Sequence, residues 1–521
     1  MTPVRQDWRH SVFVGFHSGF SAMSTDPDGQ NETTLSSKLA AEFWADGFLG
    51  QSSSEGDVFA EHSTKRRHRG SVVASTSLEA LPEVAEGAAF VRSRRWHTCP
   101  VTELLDRHNR AMGTGSTLFY DDPIEAASGE GVWLTATDGT RYLDLYNNVP
   151  TVGHGNPRVV AAIAEQAATL NVHNRYLHRN VLEYVERLVG LHHDGIESAI
   201  LACSGTEAVE LAIRIARLAT GSSGIICTDA TYHGNSLIVR QLTRLPPGEE
   251  RGGVRSITTP ELYRPPAPGL SEQHLKQHYL DELQSVIDTM VDSPDGFAGL
   301  MLCSIFANEG IPDAPDGWFA EAVEIVHRAG GLVIADEVQS GFGRSGNFWG
   351  YETMDFVPDV VCMGKPMGNG VPVSAVAASH LLISEFRKDT RYFNTFASSP
   401  LQAAAGMAVL DELIDRDLIS GVRDVGANLK RSLQKLQSNH PRIGDIRGVG
   451  LFIGIDWVHP GTTDPDGDGA ARMVEALKAR GMLLGTDGPH ENVLKIRPPL
   501  VFEQQHADLF LAGFEEALAG D

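Results

Sequence analysis

A lysine lies among glycines in the segment VCMGKPMGNG, residues 361–370. Lys365 follows a short apolar run, and Gly364, Gly368 and Gly370 leave the chain around it without side chains. An isolated lysine of this kind is normally a surface residue, because its ammonium group is strongly hydrated. Glycines also let a backbone approach a bound molecule closely, so that a lysine amine can reach it. The residues that follow the other apolar runs indicate whether Lys365 is a surface residue or a residue that reaches a bound molecule.

An anion-binding turn is indicated by ILACSGTEA, where Ser204, Gly205 and Thr206 follow an apolar run and precede a helical pattern. Backbone N–H groups at a helix N-terminus bind anions, and the helix dipole favours negative charge there. The same three residues are equally suited to an ordinary N-cap. The buried face of the predicted helix consists of Val209, Ala212, Ile215 and Ala216.

Two further apolar runs are followed by chemically useful side chains, one by carboxylates and the other by an aromatic ring. GLVIADEVQ places Asp336 and Glu337 directly after an apolar run. A buried carboxylate must be paired, because burying it alone is costly; its partner is a helix cap, a salt bridge or a positive charge on a bound ring. ICTDATYHG places Tyr232 and His233 at another run end, where the tyrosine packs in the core or forms a shelf for a planar ring.

These residue types together are the parts of one kind of site. A phosphate cradle, a ring-stacking aromatic residue, an acid for a pyridinium nitrogen and a lysine for a Schiff base are what pyridoxal 5'-phosphate (PLP) requires. They occur in a sensible order on successive apolar runs. Each is a weak indication by itself, but the combination predicts PLP as the cofactor and Lys365 as the residue that binds its aldehyde.

Short strands separated by helices must position these residues. From about Leu104, continuous apolar runs alternate with amphipathic patterns, which is typical of a buried, mainly parallel sheet in an α/β fold. We predict a low-complexity, poorly ordered extension over 1–103 and the N-terminal segment of a small domain over 104–155. A large PLP-binding domain follows over 156–395, and a smaller C-terminal α+β domain over 396–521.

Composition argues against several other classes of protein. The formal net charge of −24 repels a phosphate backbone, so we expect no nucleic-acid partner. No apolar run approaches the length of about 20 residues that a membrane helix needs, so we expect no membrane partner. The cysteines lack paired spacing, which indicates a reducing, cytoplasmic location. They are Cys99, Cys203, Cys227, Cys303 and Cys362.

Two other motifs match only in part. GFGRSG at 341–346 has the spacing of a dinucleotide fingerprint but lacks a strand directly before it and a helix after it. DPDGDGAARMVE at 464–475 has the spacing of a calcium loop, but LFIGIDWV before it reads as a strand and not as an entering helix. We expect no metal site there, and an acidic loop with Asp468 near the cap of the following helix.

A resemblance to a known family covers the chain from about Leu104 to the C-terminus. In order, the chain contains YLDLYNNVPTVGHGNP, SGTEAVELAIRIAR, YHGNS, ADEVQSGFGRSGNFWG, PDVVCMGKPMGNGVP, FNTFASSP, RGVGLFIGID and LKIRPPL. These stretches resemble class III aminotransferases of PLP fold type I. The NNV at 147–149 and MGKPMGNG are most similar to the branch that includes ethanolamine-phosphate phospho-lyases.

The resemblance implies catalytic roles for the matching residues. Lys365 forms the internal aldimine and shuttles protons, and Asp336 pairs with the pyridinium nitrogen. Tyr232 stacks on the cofactor ring, and Val338 packs against the opposite face. Gln339 lies near the ring hydroxyl.

The resemblance also implies the remaining contacts. Gly205 and Thr206 bind the phosphate, and Ser204 and His233 complete the cofactor-binding set. Glu309 lies near the substrate side. The same resemblance also implies which residues contact the substrate and a second subunit.

Thr395 is expected to reach the phosphate in the neighbouring subunit, which implies a homodimer with shared active sites and leaves a tetramer open. Arg497 is expected to bind a carboxylate or phosphate, because its planar fork suits either anion. The chain departs from the family pattern at Gly155 and Asn156, where Cys-His is common, at Val209, where asparagine is common, and at ASSP, which replaces Gly-Gly-Asn-Pro. These departures fall where substrate and subunit contacts are expected.

The leading prediction is a PLP-dependent aminotransferase that moves an amino group from an amine or amino acid to a keto acid through a Lys365 aldimine. The alternative is a PLP-dependent lyase, or an elimination or replacement enzyme, acting on a phosphorylated amine or on an amino acid with a leaving group. A non-catalytic protein that kept the fold is a further alternative. The Lys365 and Asp336 pair argues against it, because a scaffold has no need of a Schiff-base lysine.

Overall fold

The computed structural model describes residues 101–116, 118–266 and 269–520. Nearly all of the predicted extension, 1–103, lies outside the described residues, as does Cys99. The first described element is helix α1 (Val101–Met112), which begins shortly before the predicted start of the globular part. An antiparallel meander follows, made of β1 (Ala126–Glu130), β2 (Trp133–Ala136) and β3 (Arg141–Asp144).

Helices and strands alternate through the central part of the chain. The helices are α2 (Pro157–Thr169), α3 (Arg179–Val189), α4 (Gly205–Thr220), α5 (Glu272–Val291), α6 (Trp318–Arg328), α7 (Gly350–Thr353) and α8 (His380–Thr390). The strands are β4 (Ser198–Ala202), β5 (Ile225–Thr228), β6 (Glu250–Arg251), β7 (Val254–Ile257), β8 (Gly299–Cys303), β9 (Leu332–Asp336), β10 (Val360–Met363) and β11 (Ser374–Ala378). Two short 3-10 helices cover Val239–Leu242 and Lys365–Gly368.

The central strands form one eight-stranded sheet with the order β4-β11-β10-β9-β8-β5-β7-β6. The pairs from β10 to β7 are parallel, and β4 runs in the same direction because it is antiparallel to β11, which is antiparallel to β10. Among the described strands of this sheet, only β11 and β6 run in the opposite direction. The predicted α/β fold with a mainly parallel sheet is confirmed, and the carboxyl ends of β4, β5, β8, β9 and β10 share one edge.

Alternate residues of each strand face two different hydrophobic cores, as a two-residue period requires. In β9, Ile334 belongs to one core, and Val333 and Ala335 belong to the other. Helix α4 covers the first face of the sheet with the apolar residues predicted for it, while α5 and α6 cover the second face. The sheet is therefore covered on both faces by apolar side chains, so the polar side chains that could act chemically lie at the ends of its strands.

The C-terminal part of the chain combines helices with short strands. Its helices are α9 (Pro400–Asp415), α10 (Leu418–Gln437), α11 (Gly467–Lys478) and α12 (Gln504–Leu518), and its strands are β12 (Ile443–Val449), β13 (Phe452–Trp457), β14 (Met482–Leu483), β15 (Gly485–Asp487) and β16 (Val493–Ile496). Strands β12, β13, β16 and β15 form an antiparallel sheet. Strand β14 pairs instead with β3, so the N-terminal meander shares a sheet with this part of the chain. No helix in the described ranges is long and apolar enough to cross a membrane.

Candidate active site

Most of the residues predicted from the sequence line one cavity at the carboxyl edge of the large sheet. Each follows the end of a strand within a few residues, so the parallel sheet brings distant sequence positions together. The predicted residues that line the cavity are Gly205, Thr206, Tyr232, His233, Asp336, Val338, Gln339 and Lys365.

Lys365 begins the 3-10 helix that follows β10. A side chain on the preceding Gly364 would lie 3.3 Å from Val338 and 3.4 Å from the Cα of Gly205, so the lysine turn packs closely against both cavity walls. Burial, and secondly the positive charge of Arg497, lower the pKa of Lys365 to about 8. About a tenth of the amine is therefore neutral at pH 7, far more than for a free lysine, and only the neutral amine is a nucleophile or a base.

Asp336 is held at the end of β9 by a histidine. The Asp336 carboxylate lies 2.6 Å from Nδ1 of His233, and Nε2 of that ring lies 3.0 Å from the hydroxyl of Thr231. The hydrogen-bond network is consistent with a ring whose Nδ1–H donates to the carboxylate while Nε2 accepts from the threonine. The backbone N–H of Val338 donates to the other carboxylate oxygen at 3.0 Å. Asp336 is thus fixed as an acceptor that faces the cavity.

The phosphate cradle is built at the start of α4. Ser204 and Glu207 form a capping box, with the serine Oγ 3.2 Å from the Glu207 N–H and the glutamate 3.1 Å from the Ser204 N–H. The amides of Gly205 and Thr206 lie in the first turn, where a helix offers no partners. A side chain on Gly234 would come within 2.5 Å of the Thr206 hydroxyl, so this glycine keeps the cradle open.

A row of polar groups connects the Tyr232 loop with Arg497. Asn308 donates from Nδ2 to the Tyr232 carbonyl at 3.1 Å and accepts from Nε2 of Gln339 at 3.0 Å. Arg497 donates to the side-chain oxygen Oε1 of Gln339 and, from Nε, to the backbone carbonyl of Tyr146 at 3.1 Å. Its guanidinium carbon lies 4.8 Å from the centre of the Tyr146 ring. Arg497 is therefore held beside the cavity although it does not line it.

Three other predicted residues lie outside the cavity lining. Ser204 serves as the N-cap described above. Glu309 is buried and accepts from the hydroxyl of Thr228 at 2.7 Å, and burial raises its pKa. Thr395 is exposed on the single chain. Their roles toward cofactor, substrate and partner subunit stay predictions.

Three residues that sequence reasoning did not select line the same cavity: Gly234, Cys303 and Asn308. Cys303 ends β8, so the strand-end rule that found Asp336 applies to it as well. Gly234 lies within the YHGNS stretch next to two selected residues. Asn308 stands in a loop after β8, and nothing in its local sequence marks it.

The two partial motifs have structural roles. Between β9 and GFGRSG lies a turn, and a one-turn helix begins only at Gly350, so the dinucleotide interpretation fails as expected. In the acidic loop, β13 precedes the motif as predicted. Asp468 lies in the first turn of α11, near the cap as predicted. The cap itself is Asp466, whose Oδ1 accepts from the Gly469 N–H at 2.8 Å. Its other oxygen lies 2.9 Å from Arg442.

The fold and the cavity define a PLP-dependent enzyme of fold type I. The sequence model of the aminotransferase class-III family matches residues 120–518, and the chain belongs to this family. PLP is the cofactor of this family, and the cavity fits it: the α4 amides and Thr206 suit its phosphate, Asp336 suits its ring nitrogen and Lys365 suits its aldehyde.

Relatives and solved structures carry two kinds of name. The chain is 34% identical to an alanine--glyoxylate aminotransferase 2-like protein of Drosophila melanogaster, over 80% of this chain and 87% of that one. It is also 34% identical to ethanolamine-phosphate phospho-lyase homolog 1 of Caenorhabditis elegans, over 78% and 90%.

Among solved structures, a phospholyase from Arthrobacter in complex with phosphoethanolamine is 40% identical, with a TM-score of 0.77 over 80% of this chain and 100% of that one. A transaminase with L-ala is 26% identical, with a TM-score of 0.70 over 76% and 98%. The proteins that this chain resembles thus include some named as aminotransferases and others named as phospholyases.

Proposed function

We propose that this enzyme is a PLP-dependent lyase that eliminates phosphate from a small phosphorylated primary amine. The observation that carries the proposal is the buried positive charge of Arg497, which, after burial, is the next cause of the lowered pKa of Lys365. Arg344 and Arg497 are 2% and 6% exposed, and neither is paired with a carboxylate in the described part of the chain. Burial, and secondly the nearby charge of Arg497, lower the pKa of Arg344. Buried charge is costly without a counter-ion, which an anionic substrate supplies.

The nearby acids are already engaged. Asp144 contacts His154 at 2.7 Å with one oxygen and accepts from the backbone N–H groups of Tyr146 and Asn147 with the other. Lys495, which lies in β16 two residues before Arg497, is paired with Asp487. The likeness to the Arthrobacter phospholyase, which covers all of that chain at 40% identity, gives independent support for a phosphorylated substrate.

The residues of the chain divide the work as follows. The cofactor, when bound, supplies an electron sink for the carbon next to the substrate amine. Lys365, as a neutral amine, takes a proton from that carbon. Arg497 holds the phosphate while the bond from the neighbouring carbon to the phosphate oxygen breaks. The electron pair of that bond leaves with the phosphate, and ammonia is released when the remaining product is hydrolysed.

The experiment is a set of amines without any keto acid. Purified holoenzyme is mixed with phosphoethanolamine, alanine, glutamate, ornithine or 4-aminobutyrate, and the visible band of the bound cofactor, free phosphate and ammonia are followed. We expect phosphate and ammonia to accumulate over many turnovers with phosphoethanolamine, while the band recovers unaided. Loss of the band in proportion to enzyme, with recovery only after a keto acid is added, would refute the proposal.

Transamination is the second candidate function, favoured by the relative named alanine--glyoxylate aminotransferase 2-like. The same groups serve both reactions up to the first proton transfer. Lys365 would then return the proton to the cofactor side instead of permitting phosphate to leave. An amino acid such as alanine would therefore act as donor and a keto acid as acceptor, which the same set of amines detects.

We also propose a homodimer with shared active sites, with a tetramer still open, and a cytoplasmic location. The exposed position of Thr395 supports the first proposal. Free, unpaired thiols at Cys203, Cys227, Cys303 and Cys362 support the second, because such thiols persist in a reducing compartment.

A further inference from the structure

The row of groups from Tyr232 through Asn308 and Gln339 to Arg497 is here named the amide chain. Its two amide side chains lie between groups of fixed hydrogen-bond polarity. At one end the Tyr232 carbonyl can only accept, and at the other end the Arg497 guanidinium can only donate. Asn308 must therefore present its NH₂ group to Tyr232 and its oxygen to Gln339. Gln339 must then present its NH₂ group to Asn308 and its oxygen to Arg497.

This arrangement has a direct consequence for Arg497. Its guanidinium has five N–H donors. One donates to Gln339 and another, on Nε, to the Tyr146 carbonyl, while the group stacks on the Tyr146 ring. These contacts fix the side chain from two sides, and its remaining N–H groups are the donors that the proposed function assigns to an anion. If Gln339 turned its amide over, its NH₂ group would face the guanidinium, and two donors would repel each other.

We propose that Asn308 is a positioning residue for anion selectivity: it holds the amide of Gln339 in the orientation that fixes Arg497 for the anionic end of the substrate. The inference rests on the proposed function, because it takes Arg497 as the anion-binding group. Asn308 lines the cavity, but it carries no charge and belongs to no motif that marks it in the sequence. Asn308 acts through its neighbour, so its effect must disappear when Arg497 is removed.

Two substitutions separate the parts of this role. Asn308→Ala removes both hydrogen bonds and frees Gln339 to turn. Asn308→Asp keeps the size and the acceptor for Gln339, but it cannot donate to Tyr232 and places a carboxylate oxygen against that carbonyl. Asn439→Asp makes the same chemical change at an exposed position on the surface, where Nδ2 bonds only the Lys435 carbonyl at 3.2 Å. It serves as the control.

The experiment measures KM and kcat for phosphoethanolamine from the steady release of phosphate. It also measures the apparent Kd of each holoenzyme for 1-aminopropane, which lacks the anionic leaving group and is not turned over, from the change in the visible band. We expect Asn308→Ala to raise KM for phosphoethanolamine by about fivefold to twentyfold and to change the Kd for 1-aminopropane by less than about twofold. We expect Asn308→Asp to raise KM for phosphoethanolamine more than Asn308→Ala does, and Asn439→Asp to leave this KM unchanged. In an Arg497→Gln background, Asn308→Ala has no further effect on KM for phosphoethanolamine.

The outcomes are distinguishable. Equal losses for both amines, or an undiminished loss in the Arg497→Gln background, would overturn the positioning role while leaving the proposed function in place. A wild-type enzyme that does not favour phosphoethanolamine over 1-aminopropane overturns the proposed function, and the inference falls with it. Thermal unfolding of each variant shows whether a loss merely follows from a less stable fold, since such a loss affects both amines.

Discussion

At the scale of single residues, the central property is the acidity of the Lys365 ammonium. Burial in the cavity, together with the charge of Arg497, lowers the pKa of Lys365 to about 8. Cofactor capture needs the neutral amine. The rate at which cofactor-free enzyme takes up PLP should therefore rise with pH through a midpoint near 8 and level off above it. With the pKa of a free lysine, less than about 0.1% of the amine would be neutral at pH 7, instead of about a tenth.

Stopped-flow mixing of cofactor-free enzyme with PLP at several pH values measures this midpoint. Arg497→Gln is the matched variant: removing a positive charge that lowers the pKa should move the midpoint upward. Burial is the larger cause, so the midpoint stays below that of free lysine. A wild-type midpoint near 10, or a downward shift in the variant, would contradict the electrostatic account.

Asp336 gives a second prediction at this scale. Asp336→Asn keeps the shape and its contact with His233 but removes the negative charge that stabilises a protonated ring nitrogen. We expect kcat to fall by about 10²–10⁴ while PLP remains bound. The measurement is turnover together with the visible spectrum, and exposed Asp468→Asn is the control. A variant within about threefold of wild type would show that Asp336 is not the ring partner.

At the scale of elements, the sequence predicts the sheet and most of the cavity for one physical reason. Buried parallel strands are continuous apolar runs, and their carboxyl ends share an edge, so run ends such as Asp336 and Lys365 can be grouped without a structure. The amide chain could not be predicted. Asn308 and its partner Tyr232 are 76 residues apart, and Gln339 and Arg497 are 158 apart. No local pattern records such contacts.

Asn369 shows how an element is held in place. It ends the 3-10 helix that begins with Lys365 and has left-handed backbone angles, φ 48° and ψ 38°. Its side-chain oxygen accepts from the Val152 N–H at 3.0 Å, and its NH₂ group donates to the Gly153 carbonyl at 2.9 Å. The turn that carries the lysine is thus tied to the loop that follows β3.

Replacing Asn369 should therefore disturb the lysine without straining the backbone. Asn369→Gly tolerates the left-handed conformation but loses both hydrogen bonds, each worth about 1 kcal/mol. We expect the free energy of unfolding to fall by about 1–2 kcal/mol and kcat to fall by about tenfold. Urea unfolding and turnover measure the two effects.

The control is Asp355→Gly, which has a similar left-handed φ of 52° in an exposed turn. It should leave kcat unchanged. If Asn369→Gly loses stability but retains full kcat, the turn does not depend on this side chain for its catalytic position.

At the scale of the whole molecule, Thr395 lies in an exposed apolar region. The neighbouring Phe396 is 74% exposed, and Tyr176 and Leu177 are 64% and 94% exposed. Phe393 joins the two segments, because Arg175 lies 4.2 Å over its ring. Large apolar side chains grouped in this way usually meet another protein surface. A second copy of this chain is the occupant that the proposed shared active site requires.

Complementation between two inactive chains tests that proposal. Lys365→Ala removes the catalytic amine, and Thr395→Glu places a negative charge where the partner's cofactor phosphate is expected. If each site combines Lys365 of one chain with Thr395 of the other, a mixed dimer contains one intact site and one site with both defects. Random pairing makes half of the dimers mixed, so co-expression should restore about a quarter of wild-type activity. Activity equal to the sum of the two separate variants would mean that Thr395 acts within its own chain. Size-exclusion chromatography of each variant confirms that dimers form, which keeps a failure of assembly distinct from a failure of sharing.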